Sequence, residues 1–184
     1  MKKTKVLDAE GLRRAINRLA HEVIEKNKGV DNVVIVGIRT RGDFLAHRIA
    51  KMLEELEKKK VPVGLLDITL YRDDLHGKLD QPKLKSTEIL FDINGKVVVL
   101  VDDVLFTGRT IRSALNALMD FGRPDMIQLL VLVDRGHREL PIRADFVGKN
   151  IPTSRDQVVQ VAMSEIDGED AVYVIDNEDQ EKIS

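Results

Sequence analysis

Two adjacent carboxylates and a short turn of small and hydroxyl residues are the groups in this sequence that could do chemistry together. Asp102 and Asp103 directly follow the apolar run 97–101, and residues 107–110 read Thr-Gly-Arg-Thr where a helix is expected to begin. Backbone N–H groups at a helix N-terminus, helped by hydroxyls, hold phosphate groups. Carboxylates beside them suit ribose hydroxyls or a hydrated Mg²⁺, a cation that prefers oxygen ligands. The stretch therefore predicts a site for a sugar phosphate.

A second candidate phosphate loop follows the apolar run 33–38. Residues 39–42 read Arg-Thr-Arg-Gly, and the glycine permits close approach of a backbone. The patterns G-x-x-x-x-G-K-[ST] and G-x-G-x-x-G do not occur, which argues against an ordinary ATPase or NAD-binding fold. There is no cysteine, so any metal would depend on oxygen or imidazole ligands.

The elements that must position these groups alternate between apolar strands and amphipathic helices. A helix is predicted from Asp8, its N-cap, to Lys28, a second from Gly42 onward, and a third from near Thr110 to just before Gly122. Apolar runs predict strands at 33–38, 63–70, 96–101, 126–133, 158–163 and 171–175. Such a pattern is typical of an α/β fold with a mostly parallel sheet covered on both faces. In these sheets ligands bind beyond the carboxyl ends of the strands, where both candidate loops lie.

Composition and charge limit the number of domains, the location and the kinds of partner that can be expected. With 184 residues, 43% of them hydrophobic, the chain is expected to form a single domain over 1–184. It has no run of roughly 20 apolar residues and no apolar leader, so no membrane contact and a cytoplasmic location are expected. The net charge of −2 conceals a gradient: residues 1–60 carry 15 Lys and Arg against 9 Asp and Glu, whereas residues 156–184 carry 1 against 9. The basic first third could therefore bind an anion such as nucleic acid.

Three stretches of the sequence resemble those of a known protein family. Residues 98–110 resemble the phosphoribosyl pyrophosphate signature of type I phosphoribosyltransferases, and residues 65–75 and 133–150 resemble the PyrR family. Members of this family are bifunctional pyrimidine operon regulators with uracil phosphoribosyltransferase activity. The resemblance spans nearly the whole chain and implies the type I phosphoribosyltransferase fold, a mostly parallel central sheet flanked by helices with a small hood. It further implies a flexible lid at about 71–87 and a hood at about 134–160 plus parts of the termini.

The implied reaction joins uracil to phosphoribosyl pyrophosphate, giving UMP and pyrophosphate. The resemblance gives catalytic roles to Asp102, Asp103 and Arg72. Mg²⁺ is expected through substrate and water near the two aspartates, with no assured direct protein ligand. The residues implied to bind phosphoribosyl pyrophosphate or the nucleotide are Thr40, Arg41, Asp102, Asp103, Val104, Leu105, Phe106, Thr107, Gly108, Arg109, Thr110 and Arg138.

The second implied activity is UMP-responsive binding of the pyr messenger RNA leader, which promotes transcription attenuation. Its physical requirement is a basic face that contacts phosphates and an unpaired loop. Asn17 stands where a threonine is expected in the family. Self-association to a homodimer or homotetramer is also expected. The candidate RNA-binding residues are Arg13, Arg14, Asn17, Arg18, His21, Arg138, Arg143 and Lys149.

Two alternatives stay open from the sequence. The chain could be mainly an RNA-binding nucleotide sensor with weak or vestigial catalysis, although the intact Asp102-Asp103 pair favours retained catalysis. It could also transfer phosphoribose to a different base, a purine or orotate.

Overall fold

Eight strands and four helices make up the part of the chain that the computed structural model describes, residues 2–72 and 86–177. One turn of 3₁₀ helix, Thr69–Tyr71, lies between the third and fourth strands. The helices are α1 (Ala9–Asn27), α2 (Gly42–Glu57), α3 (Arg109–Met119) and α4 (Ser164–Asp167). The strands are β1 (Lys3–Leu7), β2 (Val33–Ile38), β3 (Val63–Leu66), β4 (Val97–Leu105), β5 (Met126–Asp134), β6 (Phe146–Asn150), β7 (Val158–Ala162) and β8 (Ala171–Ile175).

The larger sheet has the strand order β3-β2-β4-β5-β6, and every neighbouring pair in it is parallel. This confirms the predicted α/β class. The chain order reverses between β2 and β4, because β3 is added on one side and β5 and β6 on the other. A crevice forms outside the carboxyl ends of the strands at such a reversal. The residues that follow β2 and those that end β4 therefore meet at the expected place for a ligand.

Both faces of this sheet are buried, as the unbroken apolar strands predict. Ile35 and Val99 point to the face that packs against α1 and α2. Val34, Val98 and Leu100 point to the opposite face, which packs against α3. Helix α1 begins where expected, since the Asp8 side chain accepts a hydrogen bond from the amide of Gly11 at 2.8 Å. Two apolar layers thus hold the carboxyl ends of β2 and β4 at fixed positions.

A second, smaller sheet is antiparallel, in the order β1-β8-β7. The sequence does not predict β1, because Lys3, Thr4 and Lys5 are exposed and lack an apolar alternation. Strand β6 is also missed, since it begins inside a polar, basic stretch. The range 134–160 expected for the hood therefore divides: β6 joins the larger sheet and β7 the smaller one. Val161 and Val172 of the smaller sheet pack into the same apolar cluster as α1 and α2.

Two predicted strand boundaries are wrong. Strand β4 does not end at Val101 but continues to Leu105, because β5 goes on pairing with it through Asp102↔Val131 and Val104↔Val133. The two aspartates are therefore part of a strand and not of the loop that follows it. Strand β3 ends at Leu66, and the rest of the predicted run 63–70 turns into the 3₁₀ helix.

Most of the lid expected at 71–87 falls on residues 73–85, which lie outside the described residues. In the ranges that are described, none of the helices combines the length and the apolar character needed to cross a membrane.

Candidate functional site

The carboxylate pair lies at the carboxyl end of β4, largely removed from solvent. The side chain of Asp102 accepts a hydrogen bond from the amide of Asp103 at 2.9 Å, and the side chain of Asp103 accepts one from the amide of Val104 at 2.8 Å. Asp102 is 5% exposed. Each carboxylate thus has a fixed orientation set by the next residue of the strand.

Burial is the main cause of an unusual protonation behaviour at these residues. Burial, followed by the charge of Asp103, raises the pKa of Asp102 well above its ordinary value. Burial also raises the pKa of Asp103, although the Val104 amide, the Asp102 side chain and the positive charge of Arg41 act in the opposite direction. A cationic group that approached the pair would be stabilised by it, because two poorly hydrated carboxylates stand side by side. This is the electrostatic property that displacement at an anomeric carbon needs, since positive charge develops there.

The raised pKa values make a prediction about stability. A carboxyl whose pKa is higher in the folded than in the unfolded state opposes folding once it ionises, so stability falls as the pH rises from the unfolded value near 3.8 through the folded one. Asp102→Asn removes one of these charges and can still accept the hydrogen bond from Asp103. We expect it to be more stable than the wild type at pH 7, with the difference shrinking toward about pH 4.

Urea unfolding at the two pH values measures this difference. Asp125→Asn is the matched control, because Asp125 is exposed. A less stable Asp102→Asn protein at pH 7 would contradict the assignment of the Asp102 charge as unfavourable to folding.

The loop after β2 packs directly against the carboxylate pair. A Cβ atom placed on Gly42 would lie 2.6 Å from the carbonyl oxygen of Val101 and 3.3 Å from Oδ1 of Asp102, so only glycine allows this approach. The Arg39–Thr40 peptide bond is cis. Thr40 is exposed, while the guanidinium of Arg41 points to the smaller sheet and donates to the carbonyl of Val161 at 2.7 Å. The structure therefore brings the two candidate phosphate loops together, as the sequence predicts.

The loop between β4 and α3 has its carbonyl oxygens occupied. The carbonyl of Leu105 accepts from the amide of Arg135 at 3.1 Å, and that of Thr107 accepts from the amide of Glu139 at 2.9 Å. Gly108 has φ +93°, a conformation that favours glycine, and stands as the N-cap of α3. A phosphate is an acceptor and needs the amide donors that a helix start provides, so the loop fits the phosphate-binding role expected of it.

Two side chains of this loop, expected to bind the ligand, pack against other parts of the protein. Leu105 is buried, and the ring of Phe106 packs against the guanidinium of Arg135, whose central carbon lies 4.0 Å from the ring centroid. Arg135 is itself buried and donates to the hydroxyl of Thr153 at 3.1 Å. At Leu105 and Phe106 a ligand would therefore be bound by backbone groups.

Arg138, which the resemblance implies to be near the nucleotide, lies beside the loop. Its guanidinium donates to the carbonyl of Phe106 at 2.7 Å, to the carbonyl of Ile142 at 2.9 Å and to the carboxylate of Asp134 at 2.6 Å. These contacts tie the loop to the segment that follows β5.

Glu139 makes a further tie between the phosphate loop and the segment after β5. Its carboxylate accepts from Nε of Arg109 at 2.8 Å and also pairs with Arg155. Sequence reasoning gives Glu139 and Arg135 no role, because no local pattern shows that they face the phosphate loop.

The oxygen atoms of the carboxylate pair are the donors at this site that a magnesium ion could use. Among the described residues there is no group of three His, Cys, Asp or Glu side chains that could hold a metal ion. Asp102 and Asp103 supply only oxygen donors. Mg²⁺ retains several waters and is held in proteins by one or two carboxylates together with substrate phosphates. The residues present therefore fit a magnesium ion that is held mainly by substrate and water.

The candidate RNA-binding residues other than Arg138 are exposed, and the full set does not form one continuous cluster. Five of them lie on the exposed side of α1: Arg13, Arg14, Asn17, Arg18 and His21. Arg18 donates to the backbone carbonyls of Val147 and Gly148, which brings α1 against β6, and Lys149 donates to the carbonyl of Val6 at 3.1 Å. Arg143 is exposed.

Two of the candidate RNA-binding residues lie away from the surface where α1 meets β6. Arg13 lines a groove of about 510 Å³ between α1 and α2, on the other flank of α1. Arg138 contacts the phosphate loop.

Two further candidate site residues, Arg72 and Thr110, are exposed. Arg72 is exposed and follows Tyr71, whose carbonyl accepts from the Ser113 hydroxyl of α3 at 3.0 Å. Thr110 is exposed in the first turn of α3.

Comparison with known proteins places this chain in a family. The phosphoribosyl transferase domain family matches residues 3–166. The bifunctional protein PyrR of Pelotomaculum thermopropionicum is 59% identical over 174 residues, which cover 95% of this chain and 96% of the relative. The bifunctional protein PyrR of Thermus thermophilus is 60% identical over 176 residues, which cover 96% of this chain and 97% of the relative.

Solved structures agree on the fold. The hypoxanthine phosphoribosyltransferase of Trypanosoma cruzi superposes with a TM-score of 0.71 at 19% identity, covering 95% of this chain and 97% of that one. A hypoxanthine-guanine phosphoribosyltransferase of Bacillus anthracis gives 0.68 at 20% identity, covering 95% and 99%. Together with the sequence identity to the PyrR proteins, these matches confirm the resemblance, and the chain belongs to the PyrR family of phosphoribosyltransferases.

Proposed function

We propose that this chain makes UMP from uracil and phosphoribosyl pyrophosphate and that, with UMP bound, it binds the leader of pyr messenger RNA to promote transcription attenuation. Both activities are those of its family. One observation carries the catalytic half: Asp102, which is buried and stands beside Asp103, packs against Gly42 of the Thr40–Gly42 loop at the point where the strand order of the sheet reverses.

The geometry of the two loops supports the roles that the family resemblance implies. Asp102 and Asp103 bind the ribose hydroxyls and stabilise the positive charge that develops at the anomeric carbon as its bond to pyrophosphate breaks and its bond to uracil forms. The amides between Val104 and Thr110, with the hydroxyls of Thr107 and Thr110, hold the 5′-phosphate. The loop that contains Thr40 and Arg41 holds the departing pyrophosphate.

Magnesium belongs to this proposal as the cation that neutralises the pyrophosphate when it is bound. Asp102 and Asp103 would hold it through water and substrate oxygens, in keeping with a donor set of two carboxylates.

The lid is proposed to run from Tyr71 to Thr87 and to exclude water from the activated sugar. Arg72, at the start of this segment, is proposed to contact the substrate phosphates. The position of Tyr71 supports this, because its carbonyl is hydrogen-bonded to α3, the helix whose N-terminus forms the phosphate loop.

An assay of UMP formation tests the catalytic half. Uracil, orotate and a purine base are supplied in turn with phosphoribosyl pyrophosphate, with and without Mg²⁺. Uracil is expected to be the substrate that turns over, and turnover is expected to need Mg²⁺. A protein that binds UMP and RNA but forms no UMP would favour the nucleotide sensor with vestigial catalysis.

The RNA-binding half is proposed to use the exposed face of α1 with the neighbouring residues of β6. Arg14 allows a specific prediction, because its side chain is 70% exposed and pairs with Glu10 at 3.3 Å on the helix surface. If Arg14 contacts a phosphate, Arg14→Gln weakens binding to a pyr leader hairpin and lowers the salt slope of log K by about 0.7 to 1. Filter binding in the presence of UMP over a range of salt concentrations measures both quantities.

The control for this prediction is Lys60→Gln, which removes an exposed positive charge near the amino end of β3. It should leave the slope unchanged. Equal slopes for Arg14→Gln and the wild type would remove Arg14 from the proposed RNA face.

A homodimer or homotetramer and a cytoplasmic location complete the proposal. Exposed apolar side chains support self-association: Leu70 is 69% and Leu90 93% exposed, and Leu70 lines an open cavity with Phe121. Light scattering distinguishes the two assembly states.

A further inference from the structure

Arg41 stands at the centre of a tight turn that a residue other than glycine rarely adopts. Its φ and ψ are 66° and −45°, and the amide of Gly42 donates to the carbonyl of Thr40 at 2.8 Å. This is a three-residue γ-turn with a positive φ at its centre, a strained form. Such conformations persist where the surrounding contacts hold them in place. The contacts of Arg41 therefore bear on the shape of the loop.

Two acceptors in or next to the smaller sheet hold the guanidinium of Arg41. Nε donates to the carbonyl of Val161 at 2.7 Å, and Nη2 donates to Oδ1 of Asp167 at 3.1 Å. Both acceptors are fixed. Val161 is buried in β7, while Asp167 ends α4, accepts from the amide of Met163 at 2.8 Å and donates its own amide to the Met163 carbonyl at 2.7 Å.

The turn adjoins the reacting part of the site. Gly42 packs on Asp102, and Arg41 and Asp103 line one cavity of about 410 Å³ together with β7 and Ile175. The positive charge of Arg41 also lowers the pKa of Asp103 against the effect of burial. A shift of the guanidinium would therefore change both the positions of the backbone amides in the turn and the charge environment of Asp103.

We propose that Asp167 is a positioning residue for the transferase reaction: through Arg41 it holds the Thr40–Gly42 turn in the shape that receives pyrophosphate. The inference rests on the proposed function. In this proposal the side chain of Arg41 anchors the turn to the smaller sheet. The backbone amides of the turn then bind the pyrophosphate. This anchoring role also explains why α4, a helix of a single turn outside the parallel sheet, stands at this corner of the molecule.

Asp167→Asn tests the proposal, because the amide keeps the shape of the side chain and loses its charge. We expect the KM for phosphoribosyl pyrophosphate to rise about tenfold, the order of effect of losing one charge-assisted hydrogen bond, with the KM for uracil unchanged. Asp167→Glu, which restores the charge at a shifted position, should recover part of the loss. A merely structural role would change the melting temperature without separating the two KM values.

Asp170→Asn is the matched control. Asp170 also joins the smaller sheet to α2, since both of its oxygens accept from Arg48 at 2.8 Å, and its side chain is 21% exposed against 24% for Asp167. This variant should lose stability and keep the KM for phosphoribosyl pyrophosphate.

Measuring Asp167→Asn in a second protein, the Arg41→Gly variant, separates its effect on KM from any loss of stability. In Arg41→Gly the turn is relieved by glycine and the anchor is absent, so adding Asp167→Asn there should have no further effect on KM. An equal effect of Asp167→Asn in both backgrounds, or identical kinetics for Asp167→Asn and Asp170→Asn, would overturn the proposal. A wild type without transferase activity would instead overturn the proposed function, so the two failures are distinguishable.

Discussion

Asp103→Asn is expected to reduce the kcat of UMP formation on the order of a hundredfold, comparable to the loss of one preorganised electrostatic contact to a transition state. The loss is expected because the Asp103 carboxylate is negative and the transition state is positive. Positive charge develops at the anomeric carbon, and an amide in place of the carboxylate no longer offsets it. The backbone is not expected to move, because Oδ1 of asparagine can still accept the 2.8 Å hydrogen bond from the amide of Val104. Steady-state kinetics with saturating uracil and phosphoribosyl pyrophosphate measure the effect.

Asp125→Asn is the control, because Asp125 is exposed on the surface and outside both phosphate loops. It should turn over like the wild type. Unchanged turnover by Asp103→Asn would remove the carboxylate from catalysis. Intact UMP-dependent RNA binding by the same variant would show that nucleotide sensing and transfer need different properties of one site, since sensing needs the phosphate loop and transfer needs the charge at Asp103.

The parallel sheet and the paired phosphate loops are predictable from sequence because they depend on local patterns. An unbroken apolar run such as Val33–Ile38 is buried on both faces, and this requires a sheet covered by helices on both sides. The carboxyl ends of parallel strands lie at one edge of the sheet, which predicts that Asp102 meets the residues after Ile38. In the structure Gly42 packs against Asp102.

Other parts of the site depend on contacts between residues far apart in the chain, which no local pattern reveals. Asp167 lies 126 positions from Arg41, and nothing in the residues around either one signals the ion pair. Strand β6 is a strand because β5 provides a parallel partner for it, although Lys149 and Asn150 within it are exposed. The sequence pattern ends β4 too early for the same reason: charged residues commonly end a strand, but the pairing with β5 extends this strand past both aspartates.

Gly42→Ala is expected to have the second large effect, because no room exists for a methyl group at this position. The added Cβ would lie 2.6 Å from the carbonyl oxygen of Val101 and 3.2 Å from Cα of Asp102, both backbone atoms that cannot rotate away. The loop cannot retreat easily, since the carbonyl of Gly42 lies only 2.5 Å from where a Cβ on Gly37 would be. Overpacking of this kind costs about 1 to 3 kcal/mol of stability.

The cost in activity should be larger than the cost in stability. Relieving the clash requires the Thr40–Gly42 turn to separate from β4, and a misplacement of about 1 Å at a positioning element is enough to lower kcat/KM on the order of a hundredfold. We therefore expect Gly42→Ala to fold at a reduced melting temperature and to lose most transferase activity. Calorimetric unfolding and kcat/KM for phosphoribosyl pyrophosphate measure the two effects on the same preparation.

Gly64→Ala separates a general sensitivity to added methyl groups from this specific contact. Its Cβ would approach the side-chain atoms of Ile89 and Phe91 at 3.0 and 3.2 Å, and side-chain ends can shift by a few tenths of an ångström. The control should lose some stability and keep kcat/KM. If Gly42→Ala retains wild-type kcat/KM, the close packing of the turn on Asp102 does not set the geometry of the reaction, and the two loops act independently.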